Sequence, residues 1–198
     1  MLCLEPGQGV YGAETEARRV LDSLAPYVAR GVPVIGLEPS CLLTLRDEFA
    51  GLLPGPETEA LAARALLFEE FLAAEQAAGR LKLELTPRDG QRVLLHGHCH
   101  QKAFAAMAAV EAALELVPGL EVETVQSSCC GMAGAFGYGA ETYETSMKMG
   151  EAALLPAVRA VDAGTLVVAG GTSCRHQIRD GAGREALHPA RILRDALR

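Results

Sequence analysis

The sequence has no tryptophan, and aromatic residues make up only 5% of it. Binding single strands by stacking needs aromatic platforms, so that class is disfavoured. An excess of positive charge is also missing: Lys and Arg number 18 against 25 Asp and Glu, a formal net charge of −7. The basic residues form no stripe that could neutralise phosphates, which excludes nucleic acid as a partner. Long apolar runs are absent too. Stretches such as Val93-Leu94-Leu95 are far too short to span a bilayer, so no transmembrane segment is expected. Met1 is followed by Glu5, Pro6 and Gly7, not by a basic segment and a long apolar one. That start gives no sign of a secretory leader, and the expectation is a soluble, cytoplasmic protein. Hydrophobic residues reach 49%, enough for a core in one domain or two small fused halves.

Six cysteines are present: Cys3, Cys41, Cys99, Cys129, Cys130 and Cys174. In a reducing compartment so many thiols point to ligand or redox chemistry more than to disulfides. A buried cysteine can equally be a small hydrophobe, so context must decide.

Helical and extended patterns alternate along the chain. Ala13 to Arg30 has helical spacing, with Val20, Leu21, Leu24 and Val28 on one face. Val34 to Leu37 reads as a short buried strand. Helices are expected from Pro39 to Leu53 and from Glu57 to Ala78, and a strand over Leu81–Leu85, where apolar and polar residues alternate. The second part reads strand (Arg92–Gly97), helix (Gln101–Val117), strand (Leu120–Val125), glycine-rich loop (Gly131–Gly139), helix (Glu141–Ala163) and strand (Leu166–Ala169). Such alternation implies an α/β fold with parallel βαβ units. Ligand sites in parallel sheets gather beyond the carboxyl ends of the strands. Cys41, Cys99, Cys129, Cys130 and Cys174 each follow a predicted strand, so one rim could hold them.

Gly31–Asp47 aligns without gaps on Gly164–Asp180, pairing Val34 with Val167, Ser40 with Ser173, Cys41 with Cys174 and Arg46 with Arg179. The expectation is two pseudo-repeated halves, residues 1–86 and 87–198. The first is truncated, with nothing before Cys3 to match the Arg92–Cys99 strand.

Three segments carry the chemistry. In Ser127-Ser128-Cys129-Cys130-Gly131-Met132-Ala133-Gly134, the adjacent cysteines suit a cluster better than a mononuclear site with the usual two-residue spacer. Gly131 and Gly134 let the backbone turn tightly around a bulky inorganic ligand. A redox-active vicinal pair, or a pair buried in a turn, is the alternative. His96-Gly97-His98-Cys99-His100-Gln101-Lys102 sits where a strand ends and a helix begins, which favours a thiolate at Cys99. His96 and His100 read as hydrogen-bond donors behind a ligand or as surface residues, and His98 stays open. In Gly170-Gly171-Thr172-Ser173-Cys174-Arg175, Arg175 could offset the negative charge of a thiolate-bound cluster. Four thiolates from three corners meet the usual demand of an iron–sulfur cluster or a structural zinc. A metal-free scaffold or thiol–disulfide pair is the third option.

Cys99, Cys129-Cys130-Gly131 and Cys174 together resemble the cysteine-rich CCG domain found in the B subunit of heterodisulfide reductase, in glycolate oxidase iron–sulfur subunits and in the C subunit of anaerobic glycerol-3-phosphate dehydrogenase. Gly36-Leu-Glu-Pro-Ser-Cys41, His96-Gly-His-Cys-His-Gln-Lys102 and Cys129-Cys-Gly-Met-Ala-Gly134 are most similar to the C-terminal region of FAD-linked oxidases of the D-lactate and D-2-hydroxyglutarate dehydrogenase type. The resemblance implies an iron–sulfur cluster, of the 4Fe–4S kind, bound by Cys99, Cys129, Cys130 and Cys174, with Cys41 a further candidate. It also implies electron transfer with a flavin-bearing domain or subunit and a ferredoxin-type domain, and association with a membrane only through such partners. The family's repeat usually ends in Cys-x-x-Cys, but Gln177 stands third after Cys174 and Thr44 third after Cys41. No flavin-binding segment and no ferredoxin-type cysteine run are visible, so FAD belongs to another domain or subunit, and no residue of this chain is assigned a catalytic role. An exposed apolar surface on the truncated half would be covered by the parent protein or by a second copy, as a homodimer.

Overall fold

The computed structural model describes residues 10–198, so Cys3 lies outside the described residues. It divides into two compact units, one ending at Phe68 and one beginning at Glu69.

The first unit contains helix α1 (Val10–Val28), strand β1 (Val34–Gly36), three short helices, α2 (Pro39–Thr44), α3 (Glu48–Leu52) and α4 (Pro56–Arg64), and strand β2 (Ala65–Leu67). β1 and β2 pair in parallel, Val34 opposite Ala65 and Gly36 opposite Leu67, so this unit is a βαβ crossover. The expected helix from Glu57 to Ala78 is thus interrupted by a strand. Pro39 and Pro56 each stand at the start of a helix, where a missing N–H removes no intrahelical bond. Leu42, Leu43, Phe49, Leu61 and Leu67 form the buried side of this unit.

The second unit opens on α5 (Phe68–Ala77) and is built on a four-stranded sheet. Its strands are β3 (Gln91–His96), β4 (Leu120–Thr124), β5 (Leu166–Ala169) and β6 (Ala186–Leu187), all parallel, in the spatial order β4-β3-β5-β6. Helices α6 (Cys99–Ala103) and α7 (Met107–Glu115) connect β3 to β4. The glycine-rich loop, α8 (Tyr143–Glu151) and α9 (Leu154–Ala160) lead to β5, α10 (Thr172–Ala182) leads to β6, and α11 (Pro189–Ala196) follows. The α/β class with parallel strands is as the alternating pattern predicts. Leu81–Leu85 forms no strand; only Leu85 makes an isolated antiparallel bridge, to Leu197. The single helix expected over Gln101–Val117 is broken at Ala105, whose φ is +54°.

Leu94, Val125, Leu154, Val158, Val167 and Ile178 form the core between sheet and helices, and Cys130 and Cys174 belong to the same cluster. Fully burying an aliphatic side chain of this size contributes roughly 1.5–3 kcal/mol. The floor under these two sulfurs is therefore apolar.

Candidate metal centre

The strand order creates the site. From β3 the chain crosses to β4 on one side, then returns past β3 to β5 on the other. The connections leaving β3 and β5 diverge, which opens a crevice beyond their carboxyl ends. His96 is the last residue of β3 and pairs with Ala169, the last of β5. Cys99 starts α6, Cys174 lies in the first turn of α10, and Cys129 and Cys130 follow β4.

These four cysteines meet. Cys99 stands beside Cys129, Cys129 beside Cys130, and Cys130 beside Cys174, close enough for each sulfur to shift its neighbour's proton affinity. Cys130 and Cys174 are buried, and Cys99 and Cys129 are half-buried. The ligand atoms of His96, Cys130 and Cys174 lie within 4.8 Å of one another. Among the described residues no cysteine is in a disulfide.

The row of sulfurs alternates in charge preference. Cys130 beside it holds Cys129 well below the ordinary thiol range, helped by Cys99 and by backbone N–H groups of Gly131 and Ala133. Cys174 is also pushed down, first by Cys130 and, against the burial that opposes it, by His96. Cys99 is pushed up, chiefly by Cys129, and Cys130 is pushed up by Cys129 and Cys174.

The glycine-rich loop wraps this charge with backbone donors. The Gly131 N–H donates to Cys129 Sγ at 3.3 Å. Gly131, Ala133 and Gly134 have φ values of +98°, +40° and +69°, and the N–H groups of Gly131 and Ala133 face Cys129. Gly131 has no alternative, because a Cβ there would collide with the Ser146 carbonyl oxygen.

The histidines divide the work differently from the expectation. His98 caps α6: its Nδ1 accepts from the His100 N–H at 3.2 Å, while its own N–H donates to Gln101 Oε1 at 3.0 Å. His96, expected behind a ligand or at the surface, is only 1% exposed and faces Cys130 and Cys174. Its Nδ1 is 3.0 Å from Ser127 Oγ, and its buried Nε2 makes no hydrogen bond. Lys102 donates to the Ser127 carbonyl, to Ser127 Oγ at 3.3 Å and to the Ser128 carbonyl at 3.1 Å. Its ammonium is the cation that feels all four sulfurs. Arg175 instead ties its guanidinium to the carbonyls of Ala169 and Gly170, at 3.0 and 2.5 Å, and to Thr172 Oγ1. It braces the β5–α10 corner.

No protein-family model matches the chain, and no solved structure matches it. Among curated proteins it is similar to the C subunit of the anaerobic glycerol-3-phosphate dehydrogenase of Escherichia coli, 30% identical over 171 residues, which are 85% of this chain and 41% of that protein. It is also similar to D-2-hydroxyglutarate dehydrogenase, 28% identical over 184 residues in Escherichia coli and 29% over 193 residues in Pseudomonas putida. Those matches take in 92% and 94% of this chain but 17% of each relative. The chain thus spans about two fifths of the first relative and about one sixth of the others, all of them named as dehydrogenases or parts of one.

The donor set fits a thiophilic metal: soft sulfur ligands, an imidazole nitrogen without a partner, inward N–H groups and an apolar floor. Cys99, Cys129, Cys130, Cys174 and Gly131 come together, and Gly134 turns the same loop. Cys41 is exposed at the start of α2 in the first unit. The sequence pattern alone misses the parts played by His96, Ser127 and Lys102. Strand alternation puts His96 opposite Cys99, but β3 ends at His96 and the chain turns at once, so alternation no longer applies.

Proposed function

We propose that the chain is a cysteine-ligated iron–sulfur electron-transfer module of the CCG kind, serving an FAD-linked oxidoreductase of 2-hydroxy acids. The observation that carries this reading is the meeting of Cys99, Cys129, Cys130 and Cys174 at the crevice between β3 and β5. Four thiolates are the usual complement of an iron–sulfur cluster, which when bound supplies one-electron transfer. The rest falls to the protein. The four sulfurs hold the metal, the Gly131 and Ala133 N–H groups donate to Cys129, Lys102 offsets negative charge, and the Leu94–Val167–Ile178 core keeps water out. Gly131 and Gly134 give the loop its path, and Arg175 braces the corner that bears Cys174. The similarity to dehydrogenases named for glycerol 3-phosphate and 2-hydroxyglutarate supports a flavin-bearing domain or subunit as electron source, with a ferredoxin-type domain beside it. Residues 87–198 act as the more complete half. We place the module in the cytoplasm, peripheral to a membrane only through partners; no described helix is long and apolar enough to cross one.

A zinc-binding structural or interaction role is the second reading. It is favoured by the mixed set His96, Cys130 and Cys174, since zinc takes imidazole and thiolate together.

Iron, zinc and acid-labile sulfide in anaerobically purified protein decide between the two. Iron with matching sulfide and visible absorption is expected; zinc without sulfide would select the second reading. Cys130→Ser should abolish that absorption and the EPR signal. In the complete flavin-bearing enzyme it should slow electron delivery to the acceptor while stopped-flow reduction of the flavin stays near normal. Impaired flavin reduction, with folding and flavin retained, would refute a relay role.

A further inference from the structure

We propose that His96 is a fifth metal-binding side chain of this site, coordinating through Nε2 with its ring set by Ser127. The inference rests on the metal-binding reading above and adds to it a nitrogen ligand that the cysteine pattern does not contain.

Three observations converge. His96 is the last residue of β3, paired in register with β5, so a central strand fixes its backbone at the floor of the crevice. Its Nε2 is buried and makes no hydrogen bond, a condition buried polar atoms rarely tolerate without a function. A ring nitrogen of His96 shares a 4.8 Å neighbourhood with the sulfurs of Cys130 and Cys174. The other ring nitrogen is already engaged: Nδ1 stands 3.0 Å from Ser127 Oγ. With the proton on Nδ1 and donated to Ser127, Nε2 keeps its lone pair for a metal, the arrangement that orients most histidine ligands. Lys102 holds Ser127 in turn, through its carbonyl and hydroxyl oxygens.

Two other polar side chains nearby have hydrogen-bond partners in the protein. His98 uses Nδ1 to cap α6, and the Gln177 carboxamide nitrogen donates to the Ser146 carbonyl and hydroxyl oxygens, each at 3.1 Å. Replacing a thiolate by imidazole raises the potential of an iron–sulfur centre. A His96 imidazole therefore gives this site a higher potential than a thiolate at the same position would.

The test uses the anaerobically purified, iron-loaded chain labelled with 15N-histidine, reduced to its EPR-active state, beside His96→Gln, His96→Cys and Ser127→Ala. Circular dichroism and thermal melting verify folding of each variant. Wild type should show the strong 15N coupling of a metal-bonded nitrogen, and His96→Gln should lose it. His96→Cys should keep metal at a lower midpoint potential, read from the visible absorption. Ser127→Ala should keep the coupling but bind metal about 10- to 100-fold more weakly. An iron-loaded wild type without strong 15N coupling, or with a coupling unchanged in His96→Gln, would overturn the role of His96 and leave the cysteine site standing. A wild-type chain that takes up no metal at all would overturn both.

Discussion

Glu69 shows what burial does to one side chain. It is 2% exposed, and one carboxylate oxygen has no hydrogen-bond partner. Desolvation is the main cause that raises its pKa to about 7, with the Glu70 charge adding to it. The folded protein therefore keeps this proton up to about pH 7, while the unfolded chain releases it near 4.5. Between those values the native state binds more protons, so stability falls as pH rises, and the loss is complete above the folded pKa. The full penalty is about 3 kcal/mol. Glu69→Gln removes the charge and keeps the shape. Urea unfolding at pH 4 should scarcely separate variant from wild type, and at pH 8 the variant should be more stable by up to about that amount. An equal gain at both pH values would mean that ionisation of Glu69 is not the cause.

Among the elements, the glycine-rich loop after β4 has least freedom. Gly131 combines a φ of +98° with a collision between any Cβ and the Ser146 carbonyl oxygen of α8. Gly183 has a φ of +64° at the end of α10 and open space where its Cβ would stand. Gly183→Ala should therefore cost about 1 kcal/mol, from backbone conformation alone. Gly131→Ala should cost about 3 kcal/mol or more, because backbone must move, and it should weaken metal uptake with the loop. Equal losses in denaturant melts would show that the Ser146 contact yields easily. The same elements mark what the sequence can reveal. β3 carries the apolar run Val93-Leu94-Leu95 and β5 the run Leu166-Val167-Val168-Ala169, as a doubly covered sheet requires, and both are legible. β2 is not: Ala65-Leu66-Leu67 lies among strong helix formers, and only parallel pairing with β1 overrides that preference. Leu81–Leu85 fails in the opposite sense, alternating cleanly but with only Leu85 bridged. The repeated Ser-Cys corner is legible in detail, since β1 with α2 and β5 with α10 occupy matching positions of the alignment. The cysteines announce the candidate site through residue type and loop position. His96 stays hidden because its role depends on which strand lies beside β3, a fact of long-range pairing.

At the scale of the whole chain, the two units differ in what they hold. The second brings four sulfurs and a buried imidazole to one crevice, while the first has Cys41, exposed at a helix start. A metal held more tightly by the folded arrangement than by the dispersed thiols of an unfolded chain would stabilise the fold by mass action and shield its ligands. Thiols react as thiolates and only when accessible. In metal-free protein, limited alkylation should modify Cys129 ahead of Cys99, because Cys129 is the half-buried sulfur held as thiolate whereas Cys99 is held as thiol. Cys130 and Cys174 should lag behind for want of access. Loading with metal should protect Cys99, Cys129, Cys130 and Cys174 together, and leave Cys41 reacting at its metal-free rate. Peptide mass spectrometry of a timed iodoacetamide reaction resolves each of the five sites. Protection of Cys41 with the others would give it a part in metal binding. Continued alkylation of Cys129 at the metal-free rate, with metal fully bound, would remove it from the ligand set and leave the adjacent pair without a shared function.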